Sequence, residues 1–326
     1  MKEIKGSRFM PNKAVIIGSS NMDMNIYLKR FPSAGETVTG GTFKQFLGGK
    51  GANQAVASAR SNADTLFIGK IGTDIFGDQM ISRLTHEGIN MNYVFRDSEE
   101  ATGVAFILID DNGENMISVA PGANAKLRVE DINMRADIIK NASVLVLQME
   151  IPMETIKEAF KLALKGDVIK ILNPAPLKSI PLEVLKTVDI IVPNEGELLQ
   201  LHSFLKFEKK NGSYGKEQII QASKDISSLG INYIITTLGK RGCIVYNKSN
   251  DEVSEIPAPL VKPIDTVGAG DCFIGVLAGK LSKGVPIITA VKYATVAASI
   301  AVTRKGAQES MPYSSEINKK FDEVKY

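Results

Sequence analysis

The sequence predicts an α/β fold: a mostly parallel central sheet with helices on both faces, and a small second sheet outside it. Three observations carry that expectation. From residue 130 onward, short apolar runs alternate regularly with helical patterns, as in chains that build a parallel sheet. Those runs are apolar almost without a break, which suits strands covered on both sides. Between residues 21 and 121 the pattern differs, with mixed, weakly alternating stretches and an Asn112-Gly113 step between two strand-like runs. Such a step signals a hairpin.

The elements follow in order. Residues 13–18 are a β-branched run ending in glycine, read as a buried first strand that sets Asn21 and Asp23 just past its carboxyl end. Residues 24–46, with a turn in the middle, read as strands of the outer sheet, and a helix runs from the glycines near 48 to about Ala59. A strand over 65–70 precedes a helix ending near His86, and 102–109 with 115–119 form the hairpin that joins the outer sheet. Then come a helix around 130–140, a strand at 143–148, a helix at 152–165, a strand at 168–172, a short helix near 181–186 and a strand at 189–193. A helix from 215 to 229 leads to a strand at 232–237, an antiparallel edge pair at 243–246 and 252–256, and two last helices at 270–282 and 286–302. Arg304, Lys305 and Gly306 suit the C-terminal end and cap of the last helix.

A chain of 326 residues can bury a full core as one domain spanning 1–326. Hydrophobic residues at 44% and charged ones at 23% are ordinary for a globular protein. A net charge of +3, with scattered Lys and Arg, gives no footprint for a nucleic-acid partner. No stretch reaches the roughly twenty apolar residues of a membrane span, and the N-terminus, read as a short lead-in, lacks the apolar core of a secretion signal. Cys243 and Cys272 lie in apolar runs, as buried thiols in a reducing compartment do, so a cytoplasmic protein is expected.

Much chemistry is excluded. With two histidines, His86 and His202, read as surface or helix-face residues, and two separate cysteines, no zinc cluster has its ligands. The dinucleotide fingerprint fails because Phe273 stands where its third glycine belongs, which discounts a nicotinamide oxidoreductase. Residues 48–53 are not a Walker loop, since Gly51 follows Lys50 in place of Ser or Thr.

What remains is concentrated in two glycine stretches and a rim. Gly268, Ala269 and Gly270 precede an apolar helical run, so bare N–H groups and the positive helix end favour an anion. Asp271 stands at the same place, either as a helix cap or as a base that takes a proton from an attacking hydroxyl. Gly48 to Asn53 form a second helix entry that a ligand can approach closely. Four successive strand exits end in Glu150, in Asn173, in Asn194 to Glu197 and in Thr237 to Gly242, where ligands bind in such sheets.

These residues together resemble the ribokinase family of sugar kinases, from end to end. Both family signatures are present, at Gly48 to Asn53 and Asp265 to Asp271. The resemblance implies a ribokinase-like fold in which the outer strands, from about 21–46 and 102–121, form a lid. It implies transfer of the ATP γ-phosphoryl group to the 5-hydroxyl of D-ribose. Within the same family the acceptor alternatives are deoxyribose, fructose or a nucleoside; a non-catalytic sugar-binding regulator is the other class, against which an intact base and glycine hole argue.

By the same resemblance Asp271 is the catalytic base, and Gly268, Ala269 and Gly270 form the anion hole. Asn21, Asp23, Gly49, Lys50, Gly51, Asn53 and Glu150, with Asp271, bind the sugar. Asn194, Thr237, Leu238, Gly239, Lys240, Arg241 and Gly242, with Gly270 and Asp271, bind ATP, and Glu197 acts on Mg2+ through water. Asp265, Val267, Ala301, Arg304, Gly306 and Ser310 supply oxygens to K+. A homodimer paired through the lid is implied, and an exposed apolar sheet gives it a physical motive. The chain departs from the family's usual residues at Gly196, Cys272 and Met22.

Overall fold

The computed structural model describes residues 12–207 and 215–324, so the N-terminal lead-in lies outside the described residues. The first strand, β1 (Lys13–Ile17), ends at Gly18, and the chain leaves the main sheet as β2 (Asn21–Tyr27) and β3 (Thr42–Gly48). It returns through α1 (Lys50–Arg60) to β4 (Asp64–Ile68), which lies parallel to β1. The expected strand at 65–70 is broken at Gly69, after which β5 (Lys70–Gly72) pairs with β6 (Phe95–Asp97) across α2 (Ile75–His86). The hairpin strands β7 (Gly103–Ile109) and β8 (Asn115–Ala120) complete a four-stranded sheet in the order β3-β2-β7-β8, with Gly113 taking the left-handed turn position at φ 80°.

The alternating half follows. Two short helices, α3 (Val129–Asn133) and α4 (Ala136–Lys140), stand where one was expected. Arg135 breaks the run at φ −111°, ψ 13°, with its guanidinium over the rings of Tyr93 and Phe95. Next are β9 (Val144–Leu147), α5 (Met153–Ala163), β10 (Ile169–Leu172), α6 (Leu182–Leu185), β11 (Ile190–Ile191), α7 (Glu195–Phe204) and α8 (Lys216–Ser227). The chain closes with β12 (Tyr233–Thr237), β13 (Cys243–Asn247), β14 (Glu252–Ile256), α9 (Ala269–Ser282), α10 (Ile287–Ala301) and α11 (Ser314–Glu323). The main sheet runs β14-β13-β12-β11-β10-β9-β1-β4, parallel except for the antiparallel edge pair β13 and β14.

Strand alternation divides the core into two. Val15, Ile17, Leu145, Leu147 and Leu172 face a layer that includes α3 to α8, while Ile16, Val144, Val146, Ile171 and Ile190 face α1, α2, α9 and α10. Within the second layer α1 and α9 approach backbone to backbone. A Cβ at Gly275 would lie 2.3 Å from the Gln54 carbonyl oxygen, and one at Gly279 would lie 2.3 Å from Ser61 Oγ. Asp271, Gly275 and Gly279 are spaced by four and share one stripe of α9, so the close approach aligns Asp271 with the first turn of α1.

Two further expectations change at helix ends. α10 ends at Ala301 with Val302 as its cap, so Arg304 is no helix end; its guanidinium pairs with Glu316. The polar strand exit at Asn194 to Glu197 is also the start of α7, where Asn194 and Glu197 cap the helix reciprocally at 2.8 and 2.9 Å. Of the two histidines, His202 is the helix-face one: it lies on the buried side of α7, 2.8 Å from Asp225 and stacked on Phe207.

Candidate active site

The site lies where β1, β9, β10 and β12 end and where α1 and α9 begin. Gly268 starts α9 in the left-handed region at φ 74°, a conformation that costs little only for glycine. No side chain caps this helix, so Asp271 is not a cap. A Cβ at Gly270 would meet nothing within 4 Å, so no packing against the rest of the chain requires glycine there. What the missing side chain leaves is bare backbone at a positive helix end, fit for phosphate oxygens.

Asp271 is 8% exposed and held on both oxygens: Asn53 Nδ2 donates to Oδ2 and Gln54 Nε2 to Oδ1, each at 2.9 Å. Asn53 is itself 5% exposed, and its Oδ1 has no partner although buried. Such an oxygen is free to accept from a ligand donor. Gly49, at φ 87°, opens α1 against the backbone of Ser20, 2.6 Å from where a Cβ would sit. That contact fixes the start of the helix beside β1. Glu150 accepts from Ser19 Oγ and the Lys50 N–H, and Asn21 Oδ1 accepts from Asn124 Nδ2 at 2.8 Å.

A cavity of ≈ 150 Å³ is lined by Lys50, Asn194, Glu197, Thr237, Gly268, Gly270 and Asp271 among others. Burial pulls the Lys50 ammonium down, but Asp271, Glu150, Glu197 and Asp23 together hold it above the ordinary lysine range. Burial raises the Glu197 carboxyl, against the opposing pull of the Asn194 N–H and Lys50. Glu197 spends Oε2 on its cap, which leaves a second oxygen for a water or a hard cation.

Asp23 is pushed up to about 7, chiefly by burial and then by Glu150, Asp271 and Glu309, with Lys50 opposing. Its unperturbed value is 3.8. Between those values the folded chain keeps a proton that the unfolded chain has lost, so stability falls as pH rises through that window. Below it both states are protonated and the penalty vanishes. Relative to the unsubstituted chain, an Asp23→Asn protein is expected to gain stability as pH rises from about 4 to about 8. Urea midpoints of both proteins check this; a difference that does not change with pH removes the ionisation account.

Of the predicted nucleotide residues, Thr237 bridges to Asn194, Gly239 and Gly242 take positive φ in a tight turn closed by Leu238 N–H on Gly242 O, and Lys240 and Arg241 are exposed, the latter paired with Glu195. The residues expected around K+ fall on two adjoining loops. Asp265 accepts from Val267 N–H and Gly306 N–H, and the Ile264 and Asp265 N–H groups donate to Val302 O. Ala301 O accepts from Arg304 N–H, and Ser310 Oγ donates to Ala307 O. One carboxylate among backbone oxygens is an all-oxygen donor set of the kind that suits a hard cation. Among the described residues no His, Cys, Asp and Glu cluster has the makings of a metal centre. Sequence reasoning missed Ser19, Gln54, Asn124 and Gln148, which reach Glu150, Asp271, Asn21 and Gln54 respectively; only the fold brings them there.

This geometry brings a buried carboxylate beside bare helix-start backbone, and comparison gives the class of the protein. A model of the pfkB family of carbohydrate kinases matches residues 11–313. The chain belongs to that family and is an enzyme that transfers phosphoryl groups to an alcohol. It is 39% identical over 315 residues to a ribokinase of Staphylococcus aureus (strain COL), covering 95% of this chain and 99% of that one. It is 36% identical over 304 residues to a deoxyribokinase of Salmonella typhi, covering 93% and 96%. A solved structure of Arabidopsis thaliana ribokinase complexed with ribose and ATP matches with a TM-score of 0.85 at 31% identity, over 96% of this chain and 99% of that one.

Proposed function

We propose that the chain phosphorylates D-ribose at its 5-hydroxyl with ATP as donor, giving ribose 5-phosphate and ADP. The observation that carries the reading is the Asp271 carboxylate, gripped on both oxygens and set in the first turn of α9 beside bare glycine backbone. Asp271 accepts the hydroxyl proton while the hydroxyl oxygen bonds to the γ-phosphorus and the bond to the ADP oxygen breaks. The N–H groups of Gly268 to Gly270 take the charge that develops on the phosphoryl oxygens.

Asn21, Asp23, Gly49, Lys50, Gly51, Asn53 and Glu150 hold the sugar, Asn53 through its unpartnered oxygen. Asn194 and the Thr237 to Gly242 turn hold the nucleotide. Glu197, through water, would hold Mg2+, which would supply neutralising charge to the phosphates, and the loops carrying Asp265 and Gly306 would hold K+ beside the glycine stretch. Phe43, Phe106 and Met116 are exposed on one face of the four-stranded sheet, and Ile117 and Val119 on the other. That supports the sheet as a lid over the sugar and as the surface of a homodimer. Two free, buried thiols support a cytoplasmic setting.

A second reading, deoxyribose as acceptor, is favoured by the deoxyribokinase relative. ADP release measured with ribose, deoxyribose, fructose and a nucleoside separates them. Ribose is expected to lead deoxyribose in kcat/KM by about tenfold or more, the size of losing a buried hydroxyl partner. Equal or reversed values hand the site to deoxyribose, and no ADP release with any sugar removes the kinase reading.

A further inference from the structure

Asp271 draws one of its two hydrogen bonds from a residue with no access to substrate. Gln54 and Gln148 are both 0% exposed, whereas Asn53, the other donor, has an oxygen left for a ligand. Gln148 follows β9 and donates from Nε2 to Gln54 Oε1 at 2.7 Å. Two acceptors, Asp271 Oδ1 and Asn173 Oδ1, call for the Gln54 nitrogen on their side, and Gln148 Nε2 holds the oxygen on the other. With its oxygen spent on Gln148, its nitrogen points to Asp271 Oδ1 at 2.9 Å and to Asn173 Oδ1 at 3.3 Å. Reversed, the amide would set oxygen against a carboxylate oxygen and nitrogen against a nitrogen. Room for Gln148 comes from Gly18, where a Cβ would lie 2.0 Å from Gln148 Oε1.

We propose that Gln54, aimed by Gln148, is a positioning residue that fixes the orientation of the Asp271 carboxylate for proton abstraction. The proposal rests on the reading of Asp271 as the base. The amide pair ties the carboxylate to the end of β9 as well as to α1, so the oxygen facing the sugar cannot swing about its side-chain torsions. Neither glutamine touches substrate. Their loss therefore acts on turnover and leaves binding alone.

Steady-state kinetics of the full-length chain with ribose and ATP test this, using Gln54→Met and Gln148→Met, which keep length and remove the amide. Gln54→Met is expected to lower kcat by about tenfold to a hundredfold, the scale of one hydrogen bond to a charged group. Both KM values should stay within about threefold. Gln148→Met is expected to lower kcat by about threefold to tenfold in the unsubstituted chain and to add nothing to Gln54→Met, because it acts only through that amide. In an Asp271→Asn background Gln54→Met should have no further effect. A kcat within about twofold of the unsubstituted chain overturns the proposal, as does a Gln148→Met effect of equal size in both backgrounds, since that is what plain loosening of the core gives. If Gln54→Met does not fold, Gln148→Met decides alone by the same twofold limit. An Asp271→Asn protein that keeps its turnover takes down both the base and its positioning residue; an inactive one beside an unaffected Gln54→Met takes down the positioning role only.

Discussion

An Asp271→Asn protein is expected to lose kcat by about two to four orders of magnitude, the span a positioned general base contributes. The substitution keeps the shape of the side chain and removes its capacity to hold a proton. It also confronts the new amide with two donors, since Asn53 and Gln54 both offer N–H groups to that side chain. Gln54 keeps its acceptor, while Asn53, whose Oδ1 has no partner, must turn its amide over to accept from the new nitrogen. A modest drop in thermal stability should accompany the kinetic loss. Sugar KM should move far less than kcat, because Asn21, Asn53 and Glu150 remain. A coupled assay for ADP reads the result; turnover within about tenfold of the starting protein would mean that another group takes the proton.

The second large effect falls on stability. Arg60, 8% exposed, grips Glu87 with Nε at 2.8 Å and Nη2 at 2.6 Å. Its Nη1 reaches the carbonyl oxygens of Gln308 and Met311 at 2.9 and 2.6 Å, and the guanidinium lies 4.6 Å from the Tyr313 ring centre. Arg60→Met strands the Glu87 carboxylate, whose side chain is 2% exposed, along with two buried carbonyls. The expected cost is about 3–5 kcal/mol, toward the lower end because Arg83 also reaches Glu87 at 3.4 Å. Removing both charges with Arg60→Met and Glu87→Leu should recover part of that loss. Urea unfolding measures all three proteins; a single-variant loss below about 1 kcal/mol would mean that the pair is balanced by its own desolvation. Ala307, in the loop that Arg60 anchors, lies against Gly268, where a Cβ would sit 3.1 Å from its Cα. Activity should therefore fade at lower urea than the global transition.

The layered sheet, the outer hairpin and both glycine stretches were legible because each leaves a local mark: period, turn chemistry or a bare helix entry. Asp271 was legible for the same reason. The two glutamines were not, since Gln54 sits mid-sequence in an ordinary helical run and Gln148 at the end of an ordinary strand; only the approach of α1, α9 and β9 gives them meaning. The helix at 195–204 has a local mark in the spacing of Asn194 and Glu197, but the same two polar residues at a strand exit also suit a ligand, and that masks their capping role. Residues 130–140 read as one helix since nothing local announces that Arg135 will turn aside to two aromatic rings.

The meeting of α1 and α9 at Gly275 and Gly279 sets a gauge for the reaction. A carboxylate and its two amides belong to different helices, and what spaces them is main chain resting on main chain, a stop with almost no give. One added methyl at Gly275, a full turn below the chemistry and beyond the reach of any ligand, acts as a shim that lifts Asn53 and Gln54 from Asp271 together. The enzyme's tuning is thus stored in atoms that the sequence leaves out.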